Sequence, residues 1–260
     1  MNSMSKLKSI LATLPLITTA CGGSSDGGSS SNTITSAEPE AKPVDLSQQK
    51  GIWSDTETQT FTSASGKQTT TQAPTGLVSS QEKMIILMGN SELYVIEKDA
   101  TEGHFFTGFS YSTSISPVAS LNNSNFVFSF YNPKRDANGE ITLPLDGHYD
   151  SPMNFNELAS SWNDDYTSNS TWQYTINNDG SFSASRNGGC EATGNFTNID
   201  TTKSELDVSI TFNDNCFPLE GTHTGLAWPA EESPGTILNV AVYNGFTNSS
   251  KAMGWKLVKQ

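Results

Sequence analysis

The stretch from Gly180 to Gly225 constrains the fold of this chain more than any other part of the sequence. It consists of short runs in which apolar and polar residues alternate, separated by Gly, Asn and Asp. Such alternation predicts three or four antiparallel β-strands joined by tight turns. The stretch also holds Cys190 and Cys216, two of the three cysteines of the chain, and we predict that a disulfide joins them.

The same pattern continues through most of the chain after residue 50. Apolar runs flank Gly89-Asn90-Ser91 and Asn177-Asn178-Asp179-Gly180, and both arrangements indicate β-hairpins. Residues 63–76 are predicted to form a loop, and residues 156–162 to contain one helical turn. The predicted strands are 83–88, 92–97, 104–111, 125–131, 141–150, 171–176, 181–186, 191–198, 205–212, 220–228, 236–243 and 253–259. The fold class is therefore all-β, an antiparallel barrel or sandwich of about 10–12 short strands with one disulfide.

Two parts of the chain, residues 51–146 and 147–260, are faintly similar to each other. Gly51-x-Trp53 opens the first part and Gly147-x-Tyr149 opens the second. Each part continues with a hairpin and then with an alternating run that ends in Asn. These features predict two related halves, either as a duplicated sheet or as one barrel, although Gly-rich strands also resemble one another by chance.

The formal charge of the chain is −13, and removal of Lys6 and Lys8 with a leader peptide takes it to about −15. An acidic protein repels the phosphate backbone, so we expect no nucleic-acid partner. The interpretation of the charge that we favour is solubility at a crowded surface.

The first 20 residues have the features of a secretory signal peptide. Lys6 and Lys8 precede a short apolar run, and Thr19-Ala20 supplies small residues before Cys21. Ending on Cys21-Gly22-Gly23, the segment resembles a bacterial lipoprotein signal, from which it departs at Thr18, where leucine is usual. The resemblance implies cleavage before Cys21 and acylation of that cysteine. It also implies a lipid anchor in the outer membrane, because no Asp follows Cys21, with the domain facing the periplasm or the cell surface.

Residues 21–50 connect the expected lipidated cysteine to the folded part. They are rich in Gly, Ser and other polar residues with almost nothing apolar to bury, so we expect a disordered linker. A coil of this length spans about 30 Å, which lifts the folded part away from the lipid headgroups.

The folded part has its own resemblances. Gly51-Ile52-Trp53, the run 179–185 and the run 254–258 look like segments of a small calycin-type barrel of the lipocalin or avidin class. The run around the two cysteines and residues 221–227 is similar to uncharacterised proteobacterial surface lipoproteins, which implies no known activity. An apolar ligand would sit inside or at the mouth of a barrel, so Trp53, Trp172 and Trp228 are candidate ligand-binding residues, with core packing as the alternative.

Motifs that carry chemistry are few. The sequence contains no G-x-S-x-G elbow, no H-E-x-x-H and no phosphate-binding loop, and we expect no cofactor. Asp146, His148 and Asp150 alternate along a predicted strand and would share one face, where they could hold a divalent metal with a fourth ligand from elsewhere. The alternative is a polar stripe that faces solvent.

These observations predict an outer-membrane-anchored lipoprotein with a β-rich domain that binds a small apolar ligand or an envelope protein, without catalytic activity. One alternative is a cell-envelope hydrolase that acts on glycan or lipid, through a close carboxylate pair or through a serine paired with His148 or His223. Another is an accessory subunit of an envelope assembly, marked by a large exposed apolar patch.

Overall fold

The computed structural model describes residues 42–55, 57, 59–71, 74–88, 92–164, 171–230 and 235–260. The predicted signal peptide, Cys21, residues 21–41 of the predicted linker and the predicted turn at 89–91 lie outside these residues. The described part is all-β and forms two closed antiparallel barrels of eight strands each, which confirms the predicted fold class and its two halves.

The first half of the fold contains ten strands, eight of which form the first barrel. Its strands are β1 (Gly51–Ser54), β2 (Gln59–Thr62), β3 (Gln68–Thr71), β4 (Thr75–Val78), β5 (Met84–Met88), β6 (Glu92–Ile96), β7 (Gly103–Thr107), β8 (Ser110–Asn122), β9 (Asn125–Asn132) and β10 (Ala137–Asp146). β2 and β3 form a separate hairpin between β1 and β4. The other eight strands pair in chain order, and β1 closes the barrel by pairing with β10, where Ile52 lies opposite Asp146.

The second barrel follows a one-turn helix. The helix is α1 (Phe155–Leu158), and the strands are β11 (Ser160–Asp164), β12 (Gln173–Ile176), β13 (Ser181–Arg186), β14 (Cys190–Asn198), β15 (Leu206–Phe212), β16 (Gly221–Pro229), β17 (Ile237–Tyr243) and β18 (Ala252–Lys259). Each strand pairs with the next, and β11 closes the barrel by pairing with β18.

A search of the described residues for helices with the length and hydrophobicity of a membrane span found none.

A tryptophan on the first strand marks the start of each barrel. Trp53 in β1 donates its indole N–H to the backbone oxygen of Gln49, and Trp162 in β11 donates to that of Leu158, both at 2.8 Å. Both rings are buried in the interior of their own barrel. The counterpart of Trp53 is therefore Trp162, and the predicted match with Tyr149 is wrong, because Tyr149 lies in the connection between the barrels.

Side chains that point inward line the interiors of both barrels. The first interior contains Trp53, Tyr94, Phe105, Phe126, Phe128 and Phe130, and the second contains Trp162, Trp172, Tyr174, Phe182, Phe196 and Trp255. Large aromatic rings occupy the interior of an eight-stranded barrel, which is only wide enough for side chains or one small ligand.

A third apolar cluster, which we call the seam, lies between the barrels. It consists of Ile52, Leu77, Ile85, Leu87, Leu93, Val95, Phe106, Tyr149, Leu226, Trp228, Ala241, Tyr243 and Ala252. Strands β5 and β6 bury one face in the first barrel and the other in the seam, which is why their sequences are continuous apolar runs rather than alternating ones.

Polar groups cross the seam as well. The buried carboxylate of Glu205 accepts hydrogen bonds from the backbone N–H of Ser80 at 2.8 Å and from the hydroxyl of Tyr149 at 3.0 Å. Trp228 donates its indole N–H to Thr75 Oγ1 at 2.9 Å. These bonds satisfy polar atoms that burial removes from water.

Several predicted boundaries differ from the structure. The predicted strand 104–111 is two strands, because Gly108 and Phe109 adopt positive φ angles of 56° and 68° and form a tight turn. The predicted loop 63–76 contains β3 and the start of β4. The predicted helical turn is present as α1.

The predicted linker also ends earlier than residue 50. The N–H of Val44 donates to the backbone oxygen of Ala100 at 3.0 Å, and Leu46 is buried against the core of the first barrel. The residues just before β1 therefore belong to the folded part, because they cover one end of that barrel.

Candidate functional site

Cys190 and Cys216 form a disulfide at one end of the second barrel, which confirms the predicted pair. Cys190 opens β14, and Cys216 lies in the connection between β15 and β16. The side-chain amides of Asn213 and Asn215 donate to the backbone oxygen of Gly189 at 3.2 and 3.3 Å, so the loops at this end are tied together by hydrogen bonds too. We call this the disulfide-closed end.

Four polar aromatic side chains lie inside the barrel below that end: Trp172, Tyr174, His223 and Trp255, which we call the donor cluster. The ring centroids of Trp172, Tyr174 and Trp255 lie 6.0–6.3 Å from one another. Phe212 links them to His223, with centroids 5.2 Å from His223 and 6.3 Å from Trp255. Each of the four is at most 2% exposed.

Strand alternation explains why these side chains point inward. In β12 the exposed Gln173 and Thr175 alternate with the buried Tyr174 and Ile176. His223 in β16 and Trp255 in β18 follow the same rule, because successive side chains of a strand point to opposite faces.

The polar atoms of the donor cluster have no hydrogen-bond partner among the described residues. This holds for the indole N–H groups of Trp172 and Trp255 and for the hydroxyl of Tyr174. The ring nitrogens of His223 make no hydrogen bond of good geometry either, although the backbone of Gly221 interacts with the ring closely enough to affect its pKa. Leaving one such buried group unpaired costs about 1–3 kcal/mol. Four side chains in this state would cost an amount comparable to the whole stability of a typical domain, about 5–15 kcal/mol. We therefore expect water or a ligand to bind these atoms.

Burial keeps the titratable side chains of the donor cluster, His223 and Tyr174, uncharged and able to donate hydrogen bonds. Burial lowers the pKa of His223, against a smaller opposing effect of the Gly221 backbone, so the imidazole is neutral at pH 7. Burial raises the pKa of Tyr174 well above its usual range, and the charge of Asp164 adds to that effect. The phenol therefore remains protonated and presents an O–H group to the interior.

Two charged residues flank the cluster at the disulfide-closed end. Asp164 ends β11 and accepts the backbone N–H of Trp172 at 3.2 Å. Arg186 ends β13, and its guanidinium lies over the ring of Trp172 at 5.8 Å, with a buried Nε that has no partner among the described residues. A guanidinium beside several neutral donors favours a ligand rich in acceptor oxygens.

The three tryptophans predicted from the sequence occupy three different places. Trp172 belongs to the donor cluster. Trp53 lies in the interior of the first barrel, 5.5 Å from Phe126 between ring centroids, and Trp228 lies in the seam. The three do not line one cavity. The sequence did not identify Trp255 as a site residue. Alternation in residues 254–258 points it inward, but no sequence signal shows that its N–H has no partner in the described part of the chain.

The predicted metal ligands are not on one strand. β10 ends at Asp146, and residues 147–150 form a turn, so the predicted shared face does not exist. His148 Nδ1 lies 2.7 Å from Asp146 Oδ1, whereas Asp150 is 77% exposed in its side chain and pairs with Lys203. Among the described residues, no group of three or more His, Cys, Asp or Glu side chains could hold a metal ion.

The same residues do not form a hydrolytic triad. Ser54 Oγ donates to Asp146 Oδ2 at 3.4 Å, and His148 contacts the other oxygen of that carboxylate. The acid therefore lies between the hydroxyl and the imidazole, whereas in a Ser-His-acid triad the imidazole is central.

A hairpin covers the corresponding end of the first barrel. The tip between β2 and β3 places Ala64 in the interior, where its backbone N–H donates to the hydroxyl of Tyr94 at 3.2 Å. Burial raises the pKa of Glu92 in the same region, with Ser63 opposing it through a hydrogen bond. The chain itself supplies the partner of this interior tyrosine, whereas the hydroxyl of Tyr174 has none among the residues that the structure describes.

Comparisons of this chain with protein-family models, with curated proteins and with solved structures found no match.

Proposed function

We propose that this chain is a lipid-anchored protein of the bacterial outer membrane whose second barrel binds a small ligand at the disulfide-closed end. The observation that carries the binding site is the donor cluster, whose buried N–H and O–H groups have no partner in the described part of the chain. A small molecule with acceptor oxygens and an apolar body would satisfy those groups and pack against the surrounding rings. The leader pattern and Cys21 support the anchor.

Binding fits this cluster better than catalysis does. Covalent or general acid–base catalysis needs a nucleophile or carboxylate next to a proton acceptor. The cluster instead consists of neutral donors inside an aromatic wall, and its nearest carboxylate, Asp164, accepts the backbone N–H of Trp172. A cell-envelope hydrolase remains the alternative class, and the Ser54–Asp146–His148 group does not favour it.

Native mass spectrometry of the full-length protein, purified from its host under oxidising conditions, tests the binding site. We expect a bound species of small mass beyond the polypeptide and its lipid. Tyr174→Phe removes one hydroxyl without changing the ring, so it should weaken retention of that species by about 2- to 12-fold, the worth of one hydrogen bond. Tyr94→Phe, which removes the hydroxyl of the interior tyrosine of the first barrel, is the matched control.

The stability of the ligand-free protein gives a second readout. If the Tyr174 hydroxyl has no partner in the protein, Tyr174→Phe leaves the free energy of unfolding unchanged or raises it. A bare mass together with a loss of about 1 kcal/mol or more in this variant would contradict the proposal, because the hydroxyl would then have an internal partner.

The anchor has its own test. Cys21→Ser should release the protein from the membrane fraction into the soluble fraction, because it removes the only thioether site that the leader pattern offers. Retention of the variant in membranes would contradict lipidation at Cys21 and would leave the ligand proposal untouched.

A further inference from the structure

The outer surface of the first barrel has one face that the second barrel does not cover, formed by β8, β9 and β10. Cross-strand register arranges its outward side chains in three rows, in which each β9 residue lies between one from β8 and one from β10. The rows are Ser116, Tyr131 and Asn138; Val118, Ser129 and Glu140; and Ser120, Val127 and Thr142. We call these nine residues the β8–β10 face.

An open depression with a volume of about 550 Å³ lies on this face. It is lined by side chains from the first two rows, and Gly139 forms part of its wall. Tyr131 is 42% exposed and Val118 is 62% exposed, so an aromatic and an aliphatic surface are accessible together.

Hydrogen bonds orient the polar side chains of the depression. Ser129 Oγ donates to Glu140 Oε2 at 3.0 Å, and the hydroxyl of Tyr131 donates to Asp136 Oδ1 at 3.1 Å. The second bond holds the aromatic ring at the edge of the depression. Glu140 and Asn138 are exposed beside it. The carboxylate can accept hydrogen bonds from a bound molecule, and the amide can both donate and accept them.

We propose that the β8–β10 face binds a neutral oligosaccharide. A saccharide ring has apolar C–H faces that pack on aromatic and aliphatic surfaces, and a rim of hydroxyls that donate to carboxylates and amide oxygens. The face offers both kinds of group at neighbouring positions of one sheet. Glu140 is the one charged residue among the lining residues of the depression, none of which is Lys or Arg, so the face does not attract a phosphate or another anion.

The size of the face supports a saccharide over a protein partner. Eight residues line the depression. A stable protein interface needs about 800 Å² and 20–30 residues on each side. An oligosaccharide of a few rings matches the smaller number of lining residues. This site is independent of the donor cluster inside the second barrel.

The test measures binding of three neutral tetrasaccharides, maltotetraose, cellotetraose and chitotetraose, to the full-length protein in a detergent without sugar headgroups. Saturation-transfer NMR and calorimetry should detect binding of at least one of them. Tyr131→Ala should weaken that binding at least tenfold, whereas Tyr131→Phe, which retains the ring, should keep most of it. Phe217→Ala is the matched control, because Phe217 is an 80% exposed aromatic residue of the second barrel.

Glu140→Gln gives a second variant that does not depend on the ring and should also weaken binding, because it replaces a charged acceptor. Circular dichroism should show that each variant retains the fold. Absence of binding to all three saccharides at millimolar concentration would overturn the proposal. So would equal affinity in the wild type, Tyr131→Ala and Glu140→Gln.

Discussion

Identical residues of this protein have different hydrogen-bond environments. Trp53 and Trp162 donate their N–H groups to backbone oxygens four residues earlier, whereas Trp172 and Trp255 are equally buried without a partner among the described residues. An indole can pack into any apolar interior, but its N–H needs an acceptor at one position. The first pair therefore stabilises the fold, and the second pair lies where we propose that a ligand binds.

The buried His223 and the half-buried His104 should make stability depend on pH. Burial lowers the pKa of His223 and also that of His104, where Glu102 and Glu97 oppose the effect. The unfolded chain protonates its histidines below about pH 6.5, while the folded chain does so only at lower pH. The unfolded state therefore binds more protons in that range. Stability should fall as the pH drops from 7 to 5, by at most about 1.4 kcal/mol per pH unit for each histidine.

Urea unfolding between pH 5 and pH 8 measures this dependence. His223→Phe retains an aromatic ring beside Phe212, and His104→Phe retains the stack on Phe246, whose centroid lies 3.6 Å from that of His104. The slope below pH 6.5 should become smaller in each variant and smallest in the double variant. An unchanged slope in the double variant would contradict the assignment.

At the scale of elements, the burial of each strand depends on its neighbours. β13, β14 and β15 alternate buried and exposed residues because one face packs inside the barrel and the other faces solvent. β5, β6 and most of β17 are buried throughout because the seam covers their outer face. β11 has too few apolar residues to be recognised locally, and its pairing with β12 and β18 makes it a strand.

Gly225 allows two strands of the second barrel to approach closely. A Cβ at this position would overlap the backbone oxygen of Ala241 in β17 and lie 2.7 Å from the Cα of Val242. Gly225→Ala should therefore lower the free energy of unfolding by about 1–3 kcal/mol or more, through strand displacement. Gly147→Ala is the control, because no atom lies within 4 Å of its Cβ position, and it should change stability by less than about 0.5 kcal/mol.

Chemical denaturation followed by tryptophan fluorescence measures both glycine variants. Equal stabilities for Gly225→Ala and Gly147→Ala would show that β16 and β17 can move apart without cost, contrary to the close approach described here.

At the scale of the whole molecule, each barrel is complete and the seam joins them. Closed barrels have no unpaired strand edges, so the two halves are not joined by a shared sheet. They are joined by apolar side chains, by the polar bonds of Glu205 and Trp228, and by backbone hydrogen bonds such as that from Tyr111 to Ser250 at 3.0 Å. Because each barrel has its own interior core, the two barrels can unfold separately once the contacts of the seam are weakened.

Trp228→Ala should separate the unfolding of the two barrels. The change leaves a cavity in the seam and an unpaired Thr75 hydroxyl, at a cost of about 3–5 kcal/mol. We expect one calorimetric transition in the wild type and two in the variant. Phe217→Ala, which removes an exposed ring, should retain the single transition. Two transitions in the wild type, or one in Trp228→Ala, would contradict this role of the seam.

The sequence alone determined the all-β class, the antiparallel hairpins, the two halves and the disulfide, because each of these follows from the residue types and their spacing. Alternation with a period of two predicts a strand with one buried face, and Gly, Asn and Asp predict the turns between strands. The pairing of Cys190 with Cys216 followed from counting the cysteines of a chain with a leader. None of these inferences requires knowledge of residues far away in the chain.

The tertiary structure alone decided between barrel and sandwich, because closure depends on pairs such as Ile52 with Asp146 and Trp162 with Lys259, which are nearly a hundred residues apart. It also decided that Asp150 turns away from Asp146, that the outer faces of the two barrels meet in the seam, and that the N–H of Trp255 has no acceptor among the described residues. A period-two pattern indicates which face of a strand is buried, but it does not specify what that face packs against.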